Sequence, residues 1–298
     1  MVTPKHREKR MEPKVPIAFE NILLATDFTP ASERALPYAL AMARHYNSHL
    51  HLVHVISPEL SAMLSADAMA VEFDMAQKCA LEEMARLAGQ LEGVDHEELV
   101  RKGTIWGALS EVIKSKNIDL VVTGTHGRKG LGKLVMGSIA QDIFLRSPVP
   151  VLIVGPGAIE NPPAQGNFKR ILVSCGKSAE SCTGPNLDLA FSLAQENQAR
   201  ITLLHIVEDG HAPGPEEAFQ RLRKLIPGGA DLWCEPEILV KTGKVTEQIL
   251  VAADERDADL IVIGGGRPAA HMPGITHLPG STPDLVASRA RCPVLRAH

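Results

Sequence analysis

Gly103 and Gly124 stand 21 positions apart, and so do Gly243 and Gly264. Gly137-Ser138 precedes Pro150-Val-Leu152 by 13 positions, and Gly280-Ser281 precedes Pro293-Val-Leu295 by the same 13. Apolar runs recur in the same order around these marks. Arg170–Ser174 answers Asn21–Thr26, Thr202–Val207 answers Leu50–Val55, Val240–Gly243 answers Val100–Gly103, and Leu260–Gly264 answers Leu120–Gly124. Spacing matched at this level marks an internal duplication. A chain of 298 residues is also the length of two ordinary domains, so it has to fold as one unit made twice.

Within the first unit, short apolar runs alternate with amphipathic stretches. Asn21–Thr26 reads as a strand ending at Asp27. Pro30–Tyr46 reads as a helix, with Ala35, Ala39, Met42 and Tyr46 at three/four spacing. His49–Ile56 alternates as a strand does, and Glu59–Leu91 is long, rich in Ala and Met, and helical in character. Glu98–Arg101 then predicts a short strand, Ile105–Ser115 a helix, Leu120–Thr123 a fully apolar strand, and Val149–Val154 a closing strand. Strands alternating with helices imply βαβ crossovers and a parallel sheet buried on both faces, an α/β fold. Gly155–Asn167 is rich in Pro and Gly, has no periodicity and reads as a linker. The expected boundaries are a tail at 1–18, a first domain at 19–155, a linker at 156–167 and a second domain at 168–298.

Composition removes several classes. Hydrophobic residues make up 45% and charged residues 22%, as in globular domains. A formal net charge of −4 argues against nucleic-acid binding through bulk positive charge. No window of 18 apolar residues is present, so no membrane-spanning helix is expected. The basic start (Lys5, Arg7, Lys9, Arg10, Lys14) is followed by no apolar signal core; it reads as a frayed tail, with a contact arm as the alternative. None of the five cysteines forms a CxxC pair, and they read as reduced thiols of a cytoplasmic protein.

The chemistry concentrates after Leu120–Thr123. There the chain runs Gly124-Thr-His-Gly127, then nine residues, then Gly137-Ser138. Glycines let a backbone turn tightly and approach an oxyanion. Loop N–H groups and the first N–H groups of a helix can then point at phosphate oxygens. Ser138 adds a hydroxyl at the helix mouth, and Arg128 and Lys129 add charge; the structural alternative is a turn followed by a Ser-capped helix. Gly127 with Gly132-Lys133 looks like the start of a Walker A loop, but Leu134 stands where Ser or Thr would ligate Mg2+. Asp27 is the second element. In an open parallel sheet, ligands bind beyond the carboxyl ends of strands where the strand order reverses, and a carboxylate there can accept from a ribose or adenine group. Its alternative role is to cap the following helix.

These residues resemble the universal stress protein family, whose ATP-binding members carry G-2x-G-9x-G-(S/T). Gly124, Gly127, Gly137 and Ser138 match that pattern without a gap, and Ala25-Thr26-Asp27 and His54-Val55-Ile56 are similar too. The resemblance covers about 19–154 and 168–296. It implies two tandem domains, each a five-stranded parallel sheet in order 3-2-1-4-5 flanked by helices, of the adenine nucleotide alpha hydrolase-like type. It implies adenine near Asp27 and the Val55 backbone, and ribose near Asp27 and Gly124. Phosphates would lie on Gly127, Arg128, Gly137, Ser138 and Ile139. Ala25, Thr26 and His126 complete the expected nucleotide-binding set. Pairing about an internal two-fold axis would set Val149–Val154 beside Pro293–Arg296; further homodimerisation and a protein partner stay open.

The second repeat departs from the pattern. Gly176 stands in the place of Asp27, and Arg267 in the place of the second motif glycine. Gly264 to Gly280 is 16 positions against 13 in the first repeat, and Pro268, Pro273 and Pro279 remove donors from the loop. ATP binding is therefore expected in the first domain only. Cys175, His271 and His277 fit no usual zinc spacing, so no metal site is expected. His54 and His205 recur at equivalent positions and read as structural; Trp106 and Trp233 read as packing residues.

The leading expectation is a cytoplasmic stress-response protein that binds ATP, ADP or AMP, with or without Mg2+, as an effector or structural ligand. Slow ATP hydrolysis or phosphoryl transfer is the enzymatic alternative. Fast phosphoryl transfer needs metal ligands and a residue that orients the nucleophile, and no carboxylate pair for Mg2+ lies near the Gly-rich loop, so no catalytic residue is expected. A partner-binding module with a vestigial nucleotide site is the third reading. A nucleotidyl-transferase is set aside, because Thr26-Asp27-Phe28-Thr29 stands where an HxGH-like signature would be.

Overall fold

The computed structural model describes residues 17–57, 66–125, 137–159, 162–163, 166–175, 185–207, 214–230, 233–234, 236–264 and 281–297. The first repeat supplies β1 (Asn21–Ala25), α1 (Pro30–Glu33), α2 (Leu36–Tyr46), β2 (His49–Ile56), α3 (Ala66–Ala88), β3 (His96–Lys102), α4 (Ile105–Ser115), β4 (Leu120–Gly124), α5 (Ser138–Arg146) and β5 (Val151–Val154). The second supplies β6 (Arg170–Cys175), α6 (Pro185–Asn197), β7 (Arg200–Val207), α7 (Pro215–Arg223), β8 (Pro236–Thr242), α8 (Val245–Glu255), β9 (Leu260–Ile263), α9 (Thr282–Arg289) and β10 (Val294–Arg296).

All ten strands form one sheet in the order β3-β2-β1-β4-β5-β10-β9-β6-β7-β8. Each half therefore carries the expected order 3-2-1-4-5 with every internal pairing parallel. The halves join where β5 meets β10 antiparallel, with Leu152 opposite Leu295, as the internal two-fold pairing requires. Alternate residues of each strand face opposite sides. Ile22, Leu24, Leu50, Leu52, Leu120 and Val122 pack with α2, α3 and α6 on one face. Leu23, Val53, Val121 and Ile153 pack with α4, α5, α8 and α9 on the other. The strands are buried on both sides, which is why their sequences read as nearly continuous apolar runs.

Two expectations are corrected. The helix expected over Pro30–Tyr46 is two helices, α1 and α2. Pro37 lies in the first turn of α2 and cannot donate to Glu33, and its ring would clash with that carbonyl, so the chain re-enters a helix there. The cysteines are not all thiols: Cys79, Cys234 and Cys292 are free, but Cys175, at the end of β6, is disulfide-bonded. The linker is also more than a tether. Arg34 Nη1 donates to Pro156 O at 3.1 Å and Tyr38 Oη to Ile159 O at 2.8 Å. Ile159 N donates to Arg291 O at 3.1 Å in the second half. Gly166 turns at φ +66 against Ala41, a conformation that favours glycine. The basic tail lies outside the described residues. Among the described residues, no helix is long and apolar enough to cross a membrane.

Candidate functional site

β1 ends in a turn built by its own side chains. Thr26 N donates to Val53 O at 3.0 Å, which extends the β1–β2 ladder by one residue. Phe28 then takes φ 62, a left-handed conformation uncommon for a bulky side chain. Its N–H donates to Thr26 Oγ1 at 3.1 Å, and its ring leans on His54 with centroids 4.4 Å apart. His54 is buried, and its Nδ1 lies 2.9 Å from Thr26 O; a carbonyl only accepts, so that nitrogen carries a proton. Asp27 Oδ1 accepts from Thr29 N at 3.1 Å and from Thr29 Oγ1 at 2.6 Å. Thr29 in turn caps α1, its Oγ1 accepting from Ser32 N at 3.2 Å. Asp27 thus braces the residue that caps the helix instead of capping it directly. Positive-φ strain at Phe28 is held by this network, and such strain clusters at functional sites.

The turn forms one wall of a cleft at the carboxyl ends of β1 and β4, where the strand order reverses. The cleft is partly open to solvent and holds a cavity of about 70 Å³. Thr26, Asp27, Ser32, His54 and Thr123 give it polar groups, and Ile105, Leu109 and Ile143 give it an apolar floor. Gly124 brings α1 up to β4, because a Cβ there would overlap the backbone of Ala31 and Ser32. On the far side, Gly137 N donates to Thr125 O at 2.6 Å and starts α5 with no side-chain cap. The first N–H groups of α5 have no partner within the helix, and a helix of this kind favours negative charge at its start.

Of the residues expected to bind nucleotide, Ala25, Thr26, Asp27, Val55, Gly124 and Ile139 line this one cleft. Gly137 and Ser138 open α5 at its edge. His126, Gly127 and Arg128 lie outside the described residues, as does Gly176 in the second repeat. Sequence reasoning missed Ser32, Val53, Thr123, Ile105, Leu109, Ala140 and Ile143 as lining, and it read His54 as purely structural. Thr123 could have been found as the last residue on its face of β4, a strand that ends at the switch point. The helix residues become lining only through the packing of α4 and α5 on the sheet.

These features define a tandem, doubly wound α/β protein with a cleft at a strand-order switch. The model of the Universal stress protein family matches residues 18–155 and 167–298, and the chain belongs to that family. A universal stress protein of Thermus aquaticus is 32% identical over 140 residues, covering 46% of this chain and 98% of the relative. One of Mycolicibacterium smegmatis is 25% identical over 292 residues, covering 92% of this chain and 95% of the relative. The crystal structure of a universal stress protein from Archaeoglobus fulgidus superposes with a TM-score of 0.68 at 21% identity, over 94% of this chain and 99% of that one, a likeness of fold.

Proposed function

We propose that the first repeat binds an adenine nucleotide, with ATP as the working ligand, in the cleft between β1 and β4, and that the ligand acts as an effector or structural element of a stress-response protein. The observation that carries this reading is the convergence of Asp27, Gly124, Ile139 and the uncapped start of α5 on one cleft. Ile105, Leu109 and Ile143 suit a flat apolar base. Asp27 suits ribose hydroxyls, because a carboxylate accepts two donors side by side. The glycine-rich loop with Gly127 and Arg128, and then Gly137 and Ser138, suits the phosphates. The second repeat, with Gly176 for Asp27 and Arg267 for the second motif glycine, leaves its site silent. In this reading the nucleotide domain spans 19–155 and the degenerate one 168–298. Among the described lining residues Asp27 is the one carboxylate, which favours a bound ligand over rapid hydrolysis.

The test is mass spectrometry of the small molecules released when the purified protein is denatured, with their stoichiometry. About one adenine nucleotide per chain is the expected result. No nucleotide, together with no heat of ATP binding in calorimetry, would leave the Gly-rich loop as inherited architecture and favour the partner-binding reading.

A further inference from the structure

At the opposite end of the sheet from the cleft, β2 begins His49-Leu-His51 and β3 is entered through Asp95-His-Glu97. Side chains two apart on a strand share a face, and the β2–β3 register sets His51 opposite Glu97. Four candidate ligands therefore crowd one face of two neighbouring strands. His49 Nδ1 is 2.8 Å from Asp95 Oδ2, and His51 Nδ1 is 2.5 Å from Glu97 Oε1. The two imidazole centroids are 4.6 Å apart. One ligand atom each from His49, His51 and Glu97 lie within 4.8 Å of one another.

His51 is held through both of its ring nitrogens. Its Nε2 is 3.2 Å from Asn21 Oδ1 and its Nδ1 faces the Glu97 carboxylate. In the tautomer that donates Nε2–H to Asn21 Oδ1, the Nδ1 lone pair and the Glu97 carboxylate face one point that a cation can occupy. A histidine held through its other nitrogen in this way is the usual arrangement around a protein-bound metal.

The second repeat serves as an internal control. There Arg170, Arg200 and Thr202 occupy the register positions of Asn21, His49 and His51, and Glu237 lies opposite Thr202. Arg256 holds Glu237 through two nitrogens, with Nη2 at 2.7 Å and Nε at 2.8 Å. Lys116 plays the same part in the first repeat, its Nζ 2.6 Å from Glu97 Oε1. The glutamate–cation pair thus belongs to the architecture of both repeats and does not need the histidines, which are confined to the first.

We propose that His49, His51, Glu97 and Asp95 bind a divalent transition metal of the zinc class. Two imidazoles and carboxylate oxygens suit such an ion, and two carboxylates neutralise its charge. Lys116 competes for Glu97 and swings away when the ion enters; its side chain is 35% exposed, which leaves it room to do so. His49 and Asp95 are the more exposed pair and close onto the ion last.

The test uses the full-length protein, stripped with a chelator, titrated with Zn2+ in calorimetry and with Co2+ in visible absorption. One ion per chain is expected, with the Co2+ bands of low-coordinate nitrogen/oxygen ligation. The H49Q/H51Q double variant should lose that ion while its metal-free melting curve stays cooperative. Asn21→Ala should weaken binding by roughly 10–100-fold. Lys116→Met, which keeps all four ligands, should bind more tightly. A stoichiometry unchanged in H49Q/H51Q, or an affinity in Lys116→Met no higher than that of the parent, overturns the assignment.

Discussion

The backbone of Ala31 lies against Gly124 so closely that a Cβ at 124 would overlap the Ala31 carbonyl oxygen and come within 2.8 Å of Ser32 Cα. The glycine is therefore required by packing, whatever it does for a ligand. It lets α1 press onto β4, and that contact brings Asp27 to the same crevice as the end of β4. Gly124→Ala is expected to cost roughly 1–3 kcal/mol, the usual range for overpacking, and to weaken nucleotide binding through the displaced turn. Urea unfolding and calorimetry on the same variant measure both. Unchanged stability would mean that α1 can retreat without cost.

Asp27 does two separable things. Its Oδ1 holds Thr29 N and Thr29 Oγ1, and its charge faces the cleft. Asp27→Asn keeps an acceptor for Thr29 and removes the charge, whereas Asp27→Ala removes both. Alanine should lower stability by about 1–2 kcal/mol and weaken ATP binding. Asparagine should hold stability and still weaken ATP binding. An Asn variant that binds ATP as the parent does would reduce Asp27 to a brace for the α1 cap.

Gly127 tests the phosphate loop itself. Gly127→Val places a β-branched side chain where phosphate oxygens are expected, so ATP binding should be abolished while the thermal midpoint stays near that of the parent. The readouts are calorimetry with ATP and a melting curve without it. Retained affinity would remove the loop from the binding site.

How much of this was legible follows a physical line. The duplication and the fully buried strands were readable, because spacing and apolar runs are local and period-two faces are obligatory in a parallel sheet. The cleft was readable where its residues end strands, as Ala25, Thr26, Asp27, Val55 and Gly124 do. Ile105, Leu109 and Ile143 were not, because their part in the cleft depends on how α4 and α5 dock. The apolar spacing ran through Pro37 and hid the break that the missing N–H imposes. Gly155–Asn167 carried no periodicity, and its anchors Arg34 and Tyr38 lie in distant elements. The pairing of His49 and His51 with Asp95 and Glu97 shows only once β2 and β3 are in register, although the His-x-His alternation was there to be read.

Gly155 tests the join between the halves. A Cβ on it would run into the carbonyl of Ala287 in α9, just beyond the β5–β10 pairing. Gly155→Val should destabilise the seam before either half, so the unfolding transition of the variant should broaden or split relative to that of the parent. Differential scanning calorimetry measures this. A sharp, unshifted transition would show that the halves unfold independently of that contact.

Glu237 carries a pH dependence. Hydrogen bonds from Arg256, with a further one from Thr202, hold its carboxyl below the ordinary glutamate range in the folded protein. The unfolded chain then binds this proton more readily than the folded one, so acid favours unfolding at this group. The stabilisation is fully present above the unfolded pKa of a glutamate and is lost as the pH falls through the lowered folded value. Glu237→Gln removes the charge at every pH. The variant should therefore melt below the parent near neutrality, and the gap should close as the pH falls below the glutamate range. The pair is partly exposed, so the effect is small and shrinks with added salt. Thermal midpoints of parent and variant across an acid series measure it; a gap that stays constant with pH would assign the loss to packing and not to the Arg256 pair.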